Sequence, residues 1–181
     1  KILNSLNDYI IIFNDKNYGK GFSVRQGIKN ASGNIIIIQD ADLEYNPQNY
    51  NDLVKPILVN NVQVVYGSRA LGPNSAQHSH FSFYLGGILL TTLTNLLYQS
   101  KLTDQPTCYK VFKKNILDTI DLKENGFGFC SEVTCKLLIK DIEPYEVPID
   151  YFPRNKSDGK KISWKDGLRA IYIIFKYRIK S

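Results

Sequence analysis

The sequence predicts an α/β domain with a mostly parallel sheet flanked by helices, and three observations carry that expectation. First, short runs of strand-forming residues alternate with longer helix-like segments, the pattern of a layered α/β fold. Second, Ile35-Ile36-Ile37-Ile38 is four consecutive β-branched residues after the turn Ser32-Gly33-Asn34. Such a run fits a strand buried on both faces. Third, neither an internal repeat nor a linker-like stretch divides the 181 residues, so residues 1–181 read as one domain with enough chain for a real core.

Taken in order, Tyr9-Ile10-Ile11-Ile12-Phe13 is an apolar run and a strand candidate, followed by the turn-rich Asn14 to Gly21. Phe22 to Ala31 suits a helix with Val24 and Ile28 on one face. The strand at Ile35–Ile38 runs into Gln39-Asp40-Ala41-Asp42. Gln48 to Asn60 has helical character, with Pro56 expected to kink or stop it. Val62 to Tyr66 is a strand ended by Gly67-Ser68-Arg69, and Gly72 to His80 a polar loop. Phe81 to Gln99 is a long leucine-rich helix, Cys108 to Phe112 a short strand, and Ser131 to Ile139 a helix after an aromatic-glycine turn. Glu146 to Tyr151 is the last strand, Arg154 to Lys161 a basic loop, and Trp164 to Ile179 a basic helix.

Composition narrows the function. With 43% hydrophobic residues and 22% charged, the chain reads as a globular domain. The net charge of +6 favours anionic partners. Aromatic residues do not interleave with basic ones in an RNA-binding pattern, so nucleic acid is not expected. Cys108, Cys130 and Cys135 lack metal-ligand spacing and are expected to be reduced thiols of a cytosolic protein. No leader-like stretch and no unbroken apolar run of about 18 residues is evident, so no spanning segment is expected. The chain contains no methionine, and its natural N-terminus is expected to lie upstream.

In an open α/β sheet, ligands bind beyond the carboxyl ends of the strands. After Ile38, the carboxylates of Asp40, Asp42 and Glu44 alternate along the chain. Such a cluster suits a hard divalent ion, Mg²⁺ or Mn²⁺, that also bridges a diphosphate. It suits equally an acidic turn with solvated side chains. Arg69 could fork onto a phosphate or make an ordinary ion pair. Gly19-Lys20-Gly21 before a helix resembles a phosphate cradle without Walker spacing. Asp104 and Glu132 are general-base candidates, although Glu132 also suits its helix N-terminus. Arg154, Lys156, Lys160 and Lys161 could fold over a diphosphate or be a solvated basic loop.

In this order and spacing, certain segments resemble family 2 glycosyltransferases, specifically the polyprenyl-phosphate sugar synthases typified by dolichol-phosphate mannosyltransferase. They are Asn17-Tyr18-Gly19-Lys20-Gly21, Asp40-Ala41-Asp42-Leu43-Glu44, Gly67-Ser68-Arg69, Leu102-Thr103-Asp104, Cys108 to Phe112, Glu132, Glu146-Val147-Pro148-Ile149, and Arg154 with Gly159-Lys160-Lys161.

The resemblance implies a GT-A fold and inverting transfer from a nucleotide-diphosphate sugar to a polyprenyl phosphate. Asp40 and Asp42 would hold the metal, with Glu44 a third ligand where the family often has glutamine. Asp104 and Asp42 are the implied catalytic residues. Lys20, Arg69, Glu132, Arg154, Lys160 and Lys161 are the implied substrate contacts. The family's opening strand and its Asp-Asp-x-Ser segment would lie upstream of Lys1, so the N-terminal strands are expected to be missing. Ile35–Ile38 or Tyr9–Phe13 would then show an unpaired apolar edge. The family's second arginine is replaced by the neighbourhood of His78 and His80.

A lipid acceptor implies peripheral contact with the cytoplasmic membrane face. Phe81 to Tyr98 and Trp164 to Lys180 would supply it, unless both helices simply pack on the sheet. Rival readings keep the fold but use a polysaccharide or protein acceptor, or make the chain a non-catalytic nucleotide-binding fragment.

Overall fold

A computed structural model describes residues 9–73, 81–154 and 163–179. The helices are α1 (Lys20–Asn30), α2 (Tyr50–Val59), α3 (Phe81–Tyr98), α4 (Lys114–Leu117), α5 (Phe129–Ile139) and α6 (Trp164–Ile179). The strands are β1 (Ile35–Ile38), β2 (Val64–Ser68), β3 (Lys110–Lys113) and β4 (Tyr145–Pro148). They form one sheet in the order β1-β3-β2-β4.

The sheet is mixed, which amends the expectation of a mostly parallel one. β2 pairs with β4 in parallel, whereas β3 runs antiparallel to both β1 and β2. β1, β2 and β4 therefore share a direction, and the reversed β3 lies between the first two. In register, Ile38 and Tyr66 both face Lys110, and Tyr66 also faces Glu146.

Strand side chains alternate between two cores, because successive residues point to opposite faces. Ile36, Ile38, Val64, Tyr66 and Phe112 join Val24 and Ile28 of α1 and Phe129, Val133 and Leu137 of α5. Ile35, Ile37, Val65 and Val111 join Leu53 and Ile57 of α2 on the other face. That two-sided burial is why Ile35–Ile38 is uninterrupted. Burying Val133 and Leu137 fully contributes about 2 kcal/mol each. A third cluster joins α3, α5 and α6 through Leu90, Cys135, Ala170 and Ile174.

Two local expectations are corrected. Tyr9–Phe13 is not a strand; Tyr9, Ile10, Ile12 and Phe13 are exposed, because no described strand pairs with them. Pro56 does not stop α2, which continues to Val59. Its ring is buried beside Leu53 and Ile57, and its carbonyl accepts from the N–H groups of Asn60 and Val62. α3 is long and apolar enough to cross a membrane by length and composition, with a mean hydropathy of 1.3. β1, by contrast, lies at the sheet edge as expected, its outer side unpaired among the described residues.

Candidate active site

Because β1, β2 and β4 run the same way, the segments that leave them emerge at one end of the sheet. The reversed β3 begins at that end and brings with it the segment from Asp104 to Cys108. Strand direction alone thus gathers residues far apart in sequence.

Each acidic residue of the predicted centre there is matched by a cation. Lys20 Nζ lies 2.5 Å from Asp40 Oδ2. Arg154 Nη2 donates to Asp42 Oδ2 at 3.2 Å. Arg69 forks onto Asp104, with Nε to Oδ2 and Nη2 to Oδ1 both at 2.7 Å, and its backbone N–H adds a bond of 2.9 Å. The Asp40 and Asp42 side chains keep 21% and 25% of their exposure, against 7% for Asp104. Asp40 and Asp42 are therefore the more accessible carboxylates, each held by its cation.

The cations are held charged. Burial by itself would lower the Lys20 ammonium, but its electrostatic interactions with Cys108, Cys130 and Asp40 outweigh it and raise the pKa. Burial likewise acts to lower Arg69, and Asp104 with Tyr45 raises it well above its ordinary value. The Arg69 guanidinium also sits 5.2 Å from the centre of the Tyr151 ring.

Glu44 shares Arg154 with Asp42, its Oε1 lying 3.6 Å from Arg154 Nε, and its N–H donates to Asp42 Oδ1 at 3.2 Å. It is buried, and accepts from Tyr151 Oη at 3.3 Å and from the Arg154 N–H at 2.9 Å. Among the described residues, no three histidine, cysteine or acidic side chains form a group that could hold a metal. The expectation of Glu44 as a third ligand is corrected accordingly: burial beside two donors ties it to the fold. Asp40 and Asp42 remain as partly exposed carboxylates, and carboxylate oxygens are the kind of donor that Mg²⁺ and Mn²⁺ take.

Glu132 is also placed elsewhere. Its carboxylate is fully buried and accepts from the N–H groups of Lys123 and Glu124, from Lys136 Nζ and from Tyr177 Oη. Burial acts to raise its pKa, but these bonds prevail and lower it. It ties α5 to α6 and to the preceding loop, so its expected substrate contact is corrected. Lys156, Lys160, Lys161, His78 and His80 lie outside the described residues.

The glycines around Lys20 serve packing. Gly19 has φ of 98°, and a Cβ there would lie 2.5 Å from the Asn125 carbonyl oxygen; one on Gly21 would lie 2.3 Å from that of Glu124. The Phe22 N–H donates to the Asn125 carbonyl. This end of α1 is docked on a loop, and Lys20 itself, not the bare helix terminus, faces Asp40.

Several site residues escaped sequence reasoning. Glu146 accepts from the N–H and hydroxyl of Thr103 and from the N–H of Asp104, at 2.7 to 2.9 Å, fixing the Asp104 loop. Gln39 accepts from the hydroxyls of Tyr50 and Tyr109. Lys20 Nζ lies 2.8 Å from Cys108 Sγ. The Cys108 thiol donates to Cys130, and that bond, with Lys20 and Lys110 nearby, holds the Cys130 thiol below its ordinary range. The Glu-Val-Pro-Ile segment was the one available signal for Glu146.

Residues 1–121 match the family described as Glycosyl transferase family 2. The chain belongs to glycosyl transferase family 2. Among its relatives is the low-salt glycan biosynthesis hexosyltransferase Agl6 of Haloferax volcanii, 27% identical over 164 residues, covering 89% of this chain and 39% of Agl6. A UDP-N-acetylglucosamine–dolichyl-phosphate N-acetylglucosaminyltransferase of Methanococcus voltae is 26% identical, covering 90% of this chain and 67% of the relative. The dolichol-phosphate mannosyltransferase of Pyrococcus furiosus is 25% identical, covering 92% and 48%.

The fold resembles glucosyl-3-phosphoglycerate synthase from Mycobacterium tuberculosis, solved with Mn²⁺, UDP and phosphoglyceric acid. The TM-score is 0.68 at 13% identity, covering 93% of this chain and 56% of that one. This family 2 chain therefore has the expected GT-A-like α/β fold, and spans between about two fifths and two thirds of the length of these proteins.

Proposed function

We propose that this family 2 chain belongs to a metal-dependent, inverting glycosyltransferase that moves a sugar from a nucleotide diphosphate to a polyprenyl phosphate at the cytoplasmic membrane face. The observation that carries the reading is the matched set of charges at one end of the sheet: Asp40 with Lys20, Asp42 with Arg154, and Asp104 with Arg69. Two relatives named for transfer to dolichyl or dolichol phosphate support the acceptor class.

Asp40 and Asp42 would hold Mg²⁺ or Mn²⁺, which, when bound, offsets the charge that develops on the departing diphosphate. Lys20 and Arg154, relieved of those carboxylates, turn their donors to phosphate oxygens. Asp104 is held rigid by Arg69 and Glu146 and faces the transfer site. A lipid phosphate is already ionised near neutral pH, so Asp104 positions the acceptor rather than deprotonating it. The acceptor oxygen attacks the anomeric carbon opposite the leaving diphosphate, which inverts the configuration. The contribution of the protein is alignment and preorganised charge.

The test is incubation with labelled nucleotide sugars, Mn²⁺ and a polyprenyl phosphate, followed by organic extraction. Label in the organic phase that disappears with chelator is the expected result. Label transferred only to water-soluble polysaccharide or protein would sink the lipid acceptor, and no transfer to any acceptor would sink the enzymatic reading.

A further inference from the structure

Two of the three cysteines meet beside the candidate site, and no step of the proposed transfer uses them. Cys108 lies just before β3, and Cys130 is in the first turn of α5. The fold brings their side chains into hydrogen-bond contact, with the Cys108 thiol as donor and the Cys130 sulfur as acceptor. Lys20 extends this into a short relay, since its Nζ donates to Cys108 Sγ at 2.8 Å. Lys110 adds a second ammonium whose charge acts on Cys130. A thiol that only fills a core behaves as a small hydrophobe and needs no cation beside it. Cys135 is such a thiol. It is fully buried among α3, α5 and α6, and burial pushes it up to about 11.

Cys108 and Cys130 have the parts of a redox-active dithiol instead. The thiolate is the nucleophile of sulfur chemistry, and neighbouring cations and a helix N-terminus both favour it. Cys130 has Lys20 and Lys110 acting on it and the start of α5 around it. A second thiol in contact is what resolves an oxidised sulfur. Cys108 occupies that place and is only half-buried, which leaves a small oxidant a way in. Metal chelation is the weaker reading, because among the described residues no third ligand joins the two thiols.

We propose that Cys108 and Cys130 are a redox-responsive pair that a hydroperoxide closes into a disulfide, withdrawing Cys108 from Lys20. With hydrogen peroxide, the Cys130 thiolate attacks one oxygen and the O–O bond breaks. The hydroxide that leaves takes a proton from solvent, and Cys130 is left as a sulfenic acid. The Cys108 sulfur then displaces hydroxide from that sulfur, its own proton leaves with the hydroxide as water, and the S–S bond forms. Two electrons pass from the two sulfurs to the peroxide, which ends as water. Closure takes from Lys20 one of its two acceptors and leaves it Asp40. The inference goes beyond sugar transfer and needs neither donor nor acceptor for its test.

The full chain is treated with hydrogen peroxide, alkylated, and mapped by mass spectrometry with and without dithiothreitol. Free thiols counted in denaturant should fall from three to one. A crosslinked Cys108–Cys130 peptide should appear, and dithiothreitol should restore every thiol. These readouts on the native chain decide the inference without any substitution. Persistence of all three thiols under peroxide would overturn it. So would a crosslink that uses Cys135 or joins two chains, or a loss of thiols that dithiothreitol does not reverse. Cys108→Ser removes the resolving thiol, so dimedone should then label Cys130; label on Cys135 instead would overturn the assignment of Cys130 as the attacking sulfur. Lys20→Met should slow closure several-fold, and an unchanged rate would overturn the part given to Lys20.

Discussion

The guanidinium of Arg69 and the carboxylate of Asp104 are joined by two parallel hydrogen bonds of 2.7 Å. Asp104 is nearly buried, so the pair is more than a surface contact. Arg69→Ala would strand a desolvated carboxylate and should destabilise the fold by about 3 kcal/mol. Arg69→Lys keeps the charge but loses the fork, and should recover only part of that stability. Urea denaturation of the three proteins checks this; equal stability of the alanine and native chains would refute it.

Asp42 behaves differently, being partly exposed and paired with Arg154 at 3.2 Å. Asp42→Ala should change stability by less than about 1 kcal/mol, yet abolish sugar transfer. Thermal melting and turnover measured side by side decide it. Near-normal turnover at saturating Mn²⁺ would remove Asp42 from the metal site.

How much was legible in the sequence depended on how local each signal was. The run Ile35–Ile38 announced its two-sided burial, and the bounds of α3 and α6 followed from composition and periodicity. The Asp40-Ala41-Asp42 segment was placed correctly at a strand end. Where β3 sits was not legible, because periodicity identifies a strand but not its neighbours or its direction. Tyr9–Phe13 has the composition of a strand but lacks a described partner. Glu132 and Glu44 misled for one shared reason. Their donors come from residues such as Lys123, Tyr177 and Arg154, and only folding brings those close.

Glu132 therefore yields a stability prediction in place of a catalytic one. Glu132→Gln removes a fully buried charge that several donors surround, and should cost about 3 kcal/mol. Its folded pKa is depressed below the ordinary value of 4.5. The stability it contributes is thus present above 4.5 and lost as pH falls through the lower folded value. The native chain should lose stability in that acid window more steeply than the glutamine variant. Titration of stability between pH 2 and 6 measures the difference, and identical slopes would contradict it.

Lys110 gives the last prediction, with the opposite expectation for substitution. Its side chain is fully buried, its Nζ donates to the Gln105 carbonyl at 3.0 Å, and it lies 3.3 Å from the centre of the Tyr66 ring. Among the described residues, no carboxylate forms an ion pair with it. Burial disfavours the ammonium and lowers its pKa from 10.5 to about 8, against the pull of Cys130 and Asp104. That drop corresponds to about 3 kcal/mol of destabilisation while the group is charged in both states. Above pH 8 the folded chain releases the proton and the unfolded chain keeps it until about 10.5. The contribution of Lys110 to stability therefore rises across that window and is lost as pH falls through 8. Lys110→Met keeps the length without the charge. After allowance for the lost hydrogen bond, it should be more stable than the native chain by about 2 kcal/mol at pH 7. The advantage should shrink as pH rises from 8 to 10. Urea denaturation of both chains at each pH tests the sign and the slope together. A methionine variant that is weaker at pH 7, or a difference that does not change with pH, would mean that the ammonium is stabilised in place by the Tyr66 ring and the Gln105 carbonyl.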